Sequence, residues 1–71
     1  MQHYIFTNLL GTFIFDENFK LIDKILFQNI EQYKIKDAAE EKLKLRYNAT
    51  SPELKQLRNI LSYYTIIFLM L

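Results

Sequence analysis

Gly11-Thr12-Phe13-Ile14-Phe15-Asp16-Glu17-Asn18-Phe19-Lys20-Leu21-Ile22-Asp23 decides how the rest of the chain is read. Thr12 to Phe15 is a run of β-branched and aromatic residues, the types that fit a pleated surface. Asp16, Glu17 and Asn18 close the run. Asp and Asn side chains satisfy nearby backbone amides and tolerate left-handed conformations, so this polar triplet predicts a turn. Leu21 to Phe27 is the next apolar-rich run, and two such runs joined by a short polar loop predict an antiparallel hairpin. Alternation groups Leu21, Asp23, Ile25 and Phe27 on one face, with Ile22, Lys24 and Leu26 on the other. His3 to Asn8 reads as a further strand ahead of the hairpin. Neither face of these strands is cleanly polar, so the sheet is expected to need cover on both sides.

Beyond Phe27 the period changes. Ile35, Ala39, Leu43 and Tyr47 recur every four residues, which predicts one helix from about Glu31 to Tyr47 with a solvated, charged outer face. Asn48-Ala49-Thr50 breaks it. A second helix then starts sharply, either with Ser51 as cap and Pro52 in the first helical position, or with Thr50 and Glu53 as a capping box. Leu54, Leu57, Leu61 and Tyr64 fall on one side of it. Tyr63 to Leu71 is almost wholly apolar and reads as a buried strand, since a membrane span takes about 20 residues. The expected fold is therefore α+β: a small antiparallel sheet, built from the N-terminal hairpins plus a C-terminal strand, packed against two helices. All 71 residues make a single domain. The bare apolar end leads us to expect a fragment of a longer chain that continues past Leu71.

Composition removes several function classes. The chain has no cysteine, so disulfides and thiolate metal sites are excluded, and the single histidine, His3, makes no imidazole cluster. Nine Lys and Arg against eight Asp and Glu give a net charge of +1 with interleaved signs, not the basic stripe of a nucleic-acid binder. Gly11 is the only glycine, which rules out a glycine-rich phosphate loop. Asp16 and Glu17 are adjacent carboxylates, but a turn explains them better than a cation site, which needs further oxygen ligands at fixed spacing. Glu40 and Glu41 belong to the charged helix face. No enzyme class is supported, and no cofactor is called for.

The aromatic residues carry more information. Phe13 and Phe15 alternate on a strand as the stacking residues of an RNA-binding sheet do, yet Thr12, Ile14 and Asp16 flank them instead of basic residues and glycine. Core packing accounts for them better. A chain this small buries only roughly 60% of the surface it exposes when unfolded. With 51% hydrophobic and 15% aromatic residues, an apolar surplus is left for a protein interface.

The hairpin from Gly11 to Asp23 resembles the opening of the archaeal Nop scaffold proteins, the counterparts of the eukaryotic nucleolar Nop proteins of box C/D ribonucleoproteins. Their N-terminal domain typically has a Gly, an apolar strand ending Phe-Asp-Glu, a turn, and Leu-Ile before the next strand. The charged helix, the Pro52-Glu53-Leu54 helix start and the apolar end are compatible with that pattern. Phe19 departs from it, standing where the family often has Gly. Full family members also continue into a coiled coil and an RNA-binding domain, which lie beyond these residues. The resemblance implies a non-catalytic scaffold in the cytoplasm of an archaeal cell. Its partner would be fibrillarin, the S-adenosylmethionine-dependent RNA 2′-O-methyltransferase, with guide RNA reached only indirectly and no membrane involved. Phe13, Phe15, Tyr63 and Tyr64 are the candidate partner-binding residues. Two other readings are a small structural module that self-associates through its apolar end, and a membrane-associated peptide that inserts the same run.

Overall fold

The computed structural model describes residues 2–64. Three strands, β1 (Tyr4–Thr7), β2 (Gly11–Phe15) and β3 (Leu21–Leu26), form an antiparallel meander in the order β1-β2-β3. Three helices follow: α1 (Ile30–Lys34), α2 (Lys36–Tyr47) and α3 (Leu54–Tyr63). The α+β architecture is the expected one. Of the expected C-terminal strand, Tyr63 closes α3 and Tyr64 caps it, while 65–71 lie outside the described residues.

The two hairpin turns are built by side chains. In the first, Asn8 Oδ1 accepts from Leu10 N at 2.9 Å and from Gly11 N at 3.3 Å, and Asn8 N donates to Gly11 O. In the second, Asp16 Oδ1 accepts from Asn18 N at 2.8 Å and Lys20 N at 2.9 Å. That carboxylate holds Phe19 in the left-handed region, at φ 63°, a conformation that glycine adopts without penalty and other residues do not. Gly11 is needed for a different reason. A Cβ there would lie 2.2 Å from the carbonyl oxygen of Ile25, so β2 and β3 approach too closely for any side chain.

Both faces of the sheet are covered, as its two-sided apolar pattern requires. On one face Tyr4, Phe13 and Phe15 pack with Ile60 of α3, joined by Phe6, Leu10, Phe19, Leu21 and Tyr64. On the other, Ile5 and Ile14 pack with Leu43 of α2 and Ala49, joined by Ile25 and Tyr47. Ile14, Phe15, Leu43 and Ile60 are fully buried. A register shift between Ile14 and Phe15 sets Phe15 opposite Leu21 and Ile14 opposite Asp23. This bulge corrects the strict alternation expected of β3. Leu21 packs on the α3 side, while Asp23 and Ile25 turn toward α2.

The helices depart from the expected boundaries in two places. The single helix from Glu31 to Tyr47 is broken at Ile35, where the backbone tightens: Ile35 N donates to Gln32 O at 3.2 Å and Ala38 N to Ile35 O at 3.0 Å. The break turns Ile35 outward, leaving Ala39, Leu43 and Tyr47 as the inward stripe. Asn48 then ends α2 in the left-handed conformation, a role Asn shares with Gly. The second correction concerns α3. Its cap is Glu53, not Ser51 or Thr50, and Gln56 Oε1 returns to accept the Glu53 N–H at 2.8 Å. Thr50 is drawn away by β1 instead: Ile5 N donates to Thr50 O at 2.9 Å and Thr50 N to His3 O at 3.0 Å, a parallel bridge on the outer edge of the sheet. Within α3, Ile60 is fully buried and Leu54, in the first turn, is exposed.

Candidate partner-binding surface

The four candidate residues fall into two groups. Phe13 and Phe15 are central on β2, the strand flanked on both sides, and their rings lie beneath α3 at 3% and 0% exposure. Tyr63 and Tyr64 sit where α3 ends. Tyr64 is half-buried: its ring packs against Phe15 at 5.3 Å, and its hydroxyl accepts the Leu21 N–H at 2.8 Å. That bond ties the end of α3 to the start of β3. Tyr63 is 70% exposed.

The fold brings these tyrosines to the tip of the second hairpin. Asn18, Phe19, Lys20, Tyr63 and Tyr64 line an open hollow of about 450 Å³. Beneath it the Phe19 ring stacks on Tyr4 at 5.8 Å, and the Tyr4 hydroxyl accepts from Gln56 Nε2 at 3.0 Å. Aromatic walls with one cationic rim residue suit a protein side chain better than a nucleotide phosphate. Phe19 and Lys20 were not among the residues singled out as partner-binding in the sequence. The signal for them was present in Phe19, a bulky residue at a turn position where the resemblance leads one to expect Gly.

The family model for the archaeal Nop5/56-related N-terminal domain matches residues 2–68. The chain belongs to this family. Comparisons with curated proteins and with solved structures give no match. In this Nop5/56-related domain the matched stretch takes in the whole sheet, the three helices and all four candidate residues. Nop5/56 proteins are a family of box C/D ribonucleoprotein scaffolds.

Asp23, Arg46 and Tyr47 of the Nop5/56-related domain form a structural contact. Asp23 joins the sheet to α2: its Oδ2 accepts from the Tyr47 hydroxyl at 2.8 Å and from Arg46 at 3.1 Å, while Oδ1 accepts the Lys24 N–H. The Tyr47 hydroxyl is the chief cause of a lowered Asp23 pKa, helped by the Lys24 amide and by Arg46. The same contact, donated to an anion, raises the pKa of Tyr47. His3 lies against the Tyr47 ring at 5.6 Å, and among the described residues its buried Nδ1 has no hydrogen-bond partner. Among the described residues no three His, Cys, Asp or Glu side chains are grouped to hold a metal ion. Nor is any described helix long and apolar enough to cross a membrane.

Proposed function

We propose that this domain binds the RNA 2′-O-methyltransferase fibrillarin and tethers it within a box C/D guide-RNA particle that methylates rRNA or tRNA. The family match over residues 2–68 carries this reading. The exposed apolar residues, among them Leu9, Ile22, Leu26, Leu54 and Tyr63, support it, since a small chain with that much uncovered apolar surface is suited to a protein partner. The mechanism is positional. A tethered enzyme acts at a high effective concentration on its target, while catalysis and the methyl donor remain with the enzyme.

Within that reading the candidate residues take different parts. Tyr63 offers its ring to the partner directly, at the mouth of the hollow. Phe13, Phe15 and Tyr64 act from beneath, holding α3 and the hairpin tip in the relation that shapes the hollow. The test is size-exclusion chromatography with light scattering on this chain, alone and mixed with an archaeal fibrillarin. A stable one-to-one or two-to-two complex, weakened by Tyr63→Ala, is the expected result. Absence of a complex at micromolar concentrations would overturn the reading.

A further inference from the structure

The two edges of the sheet are not alike. On the outer side β1 is bridged to Thr50, whereas β3 has β2 on one side and, among the described residues, no strand on the other. An unpaired edge is a template for another extended chain. The direction of its polar groups follows from the register. Gly11 stands opposite Leu26 while Phe27 N donates to Leu10 O at 2.8 Å, which makes Gly11 and Leu26 a non-hydrogen-bonded pair. Leu26, and two residues before it Lys24, therefore turn their backbone N–H and C=O away from β2. The Lys24 N–H is met there by Asp23 Oδ1 at 2.8 Å, an oxygen serving where the carbonyl of a neighbouring strand would serve.

Lys24 is exposed, and on either side of it along the strand Ile22 and Leu26 are exposed at 40% and 52%. A second copy of this chain fits such an edge badly. Antiparallel pairing about a two-fold axis sets like faces opposite, so the axis must pass through a single residue. The registers that overlap β3 most fully centre on Asp23 or Lys24. They oppose Asp23 to Asp23 or Lys24 to Lys24, and like charges directly opposite are destabilising.

We propose that the edge of β3 from Ile22 to Leu26, unpaired among the described residues, receives an extended segment of a partner protein carrying an acidic residue with an apolar residue two positions away on each side. The acid lies opposite Lys24 and the apolar side chains cover Ile22 and Leu26. The incoming backbone replaces Asp23 Oδ1 at the Lys24 amide, and Asp23 keeps its contacts with Tyr47 and Arg46. The same Lys24 thus attracts this partner and rejects a second copy. This inference goes beyond the tethering role and does not depend on which protein is tethered.

The test is a titration of the ¹⁵N-labelled chain with two peptides, one containing Val-Thr-Glu-Thr-Val and the other Val-Thr-Lys-Thr-Val. The Glu peptide is expected to shift the amides of Ile22, Lys24 and Leu26 and to bind about fivefold more tightly than the Lys peptide, the scale of one cross-strand charge pair. Lys24→Glu, an exposed substitution whose fold is checked in the same spectra, is expected to invert the preference. No shift along β3 at millimolar peptide, or an unchanged preference in Lys24→Glu, would overturn the proposal. So would concentration-dependent oligomers of the unmodified chain that perturb the same amides. Fibrillarin binding in the chromatographic test is read separately, so the two proposals can fail independently.

Discussion

Phe19 combines an unfavourable backbone conformation with a favourable side chain, and the two can be separated by comparing Phe19→Ala with Phe19→Gly. Its φ of 63° lies in the left-handed region, which costs a non-glycine residue about 1 kcal/mol. Against this stands the half-buried ring. Burying it fully would contribute about 1.5–3 kcal/mol, so its partial burial contributes about 1, and the stacking on Tyr4 adds about 0.5–1.5. Phe19→Ala forfeits the ring and keeps the strain, for an expected loss of about 2 kcal/mol. Phe19→Gly forfeits the same ring and releases the strain. It should therefore be about 1 kcal/mol more stable than Phe19→Ala. That order is the reverse of the usual one, because at ordinary positions Gly is less stable than Ala by roughly 0.5–1 kcal/mol. Urea unfolding followed by circular dichroism resolves the difference. At a slope of about 1 kcal/mol/M the two midpoints separate by about 1 M. A Phe19→Gly midpoint at or below that of Phe19→Ala would refute both the left-handed assignment and the account of the turn.

Gly11→Ala places a methyl 2.2 Å from the Ile25 carbonyl oxygen, so β2 and β3 must separate; a loss of about 3 kcal/mol or more is expected in the same urea assay. Leu43→Ala and Ile60→Ala each empty a fully buried site, one on each face of the sheet, and should cost about 2–5 kcal/mol apiece. A domain of this size has only about 4–11 kcal/mol in total, so both variants should show an unfolded fraction at modest urea. Asp23 gives stability a pH dependence of fixed sign. Its folded pKa lies below the ordinary 3.8, so its contribution is present above that value and is lost as pH falls through the folded pKa. Tyr47 acts in the opposite sense: its folded pKa lies above 10.0, so its contribution is present below that value and is lost as pH rises through the folded pKa. Asp23→Asn should flatten the acid limb of a stability–pH profile, and Tyr47→Phe should weaken both limbs.

The strands were legible because their signal is local. Side-chain chemistry at Asn8 and Asp16 fixes the turns, and β-branched and aromatic runs fill the sheet between them. The helix boundaries were less legible, because distant parts of the fold decide them. Ser51 and Thr50 are good caps by composition, yet Thr50 spends its backbone on β1, and the start of α3 slips to Glu53. Ile60, spaced three from Leu57 and four from Tyr64, takes the centre of the buried face, while Leu54 in the first turn is exposed. The bulge opposite Ile14 and Phe15 is likewise a property of the pair of strands, and it changes the face on which Leu21 packs. For the candidate surface, aromatic content singled out Tyr63 and Tyr64, which the fold sets at the end of α3. What sequence could not supply was that the hairpin tip, with Phe19 and Lys20, comes round to meet them.

Covering both faces of the sheet constrains how the domain can meet a partner. Direct contact with Phe13 and Phe15 would require α3 to leave. Re-exposing two buried phenylalanines costs about 1.5–3 kcal/mol each, and Ile60 loses its burial with them. The sum is of the order of the stability of the whole domain, so displacing α3 to bind amounts to unfolding. A partner that leaves the two helical covers in place meets exposed surface instead, including the Tyr63 hollow at the hairpin tip and the edge of β3 that is unpaired among the described residues. The two adjoin. The Tyr64 hydroxyl that frames the hollow accepts the amide of Leu21, the first residue of β3. A segment entering along β3 thus leads toward the hollow, and an aromatic or aliphatic residue beyond the Leu21 end would reach it. Tyr64→Phe removes the hydroxyl at this junction and keeps the ring against Phe15. If hollow and edge form one continuous surface, that substitution should weaken fibrillarin binding and β3 peptide binding together; loss of only one would divide the surface in two.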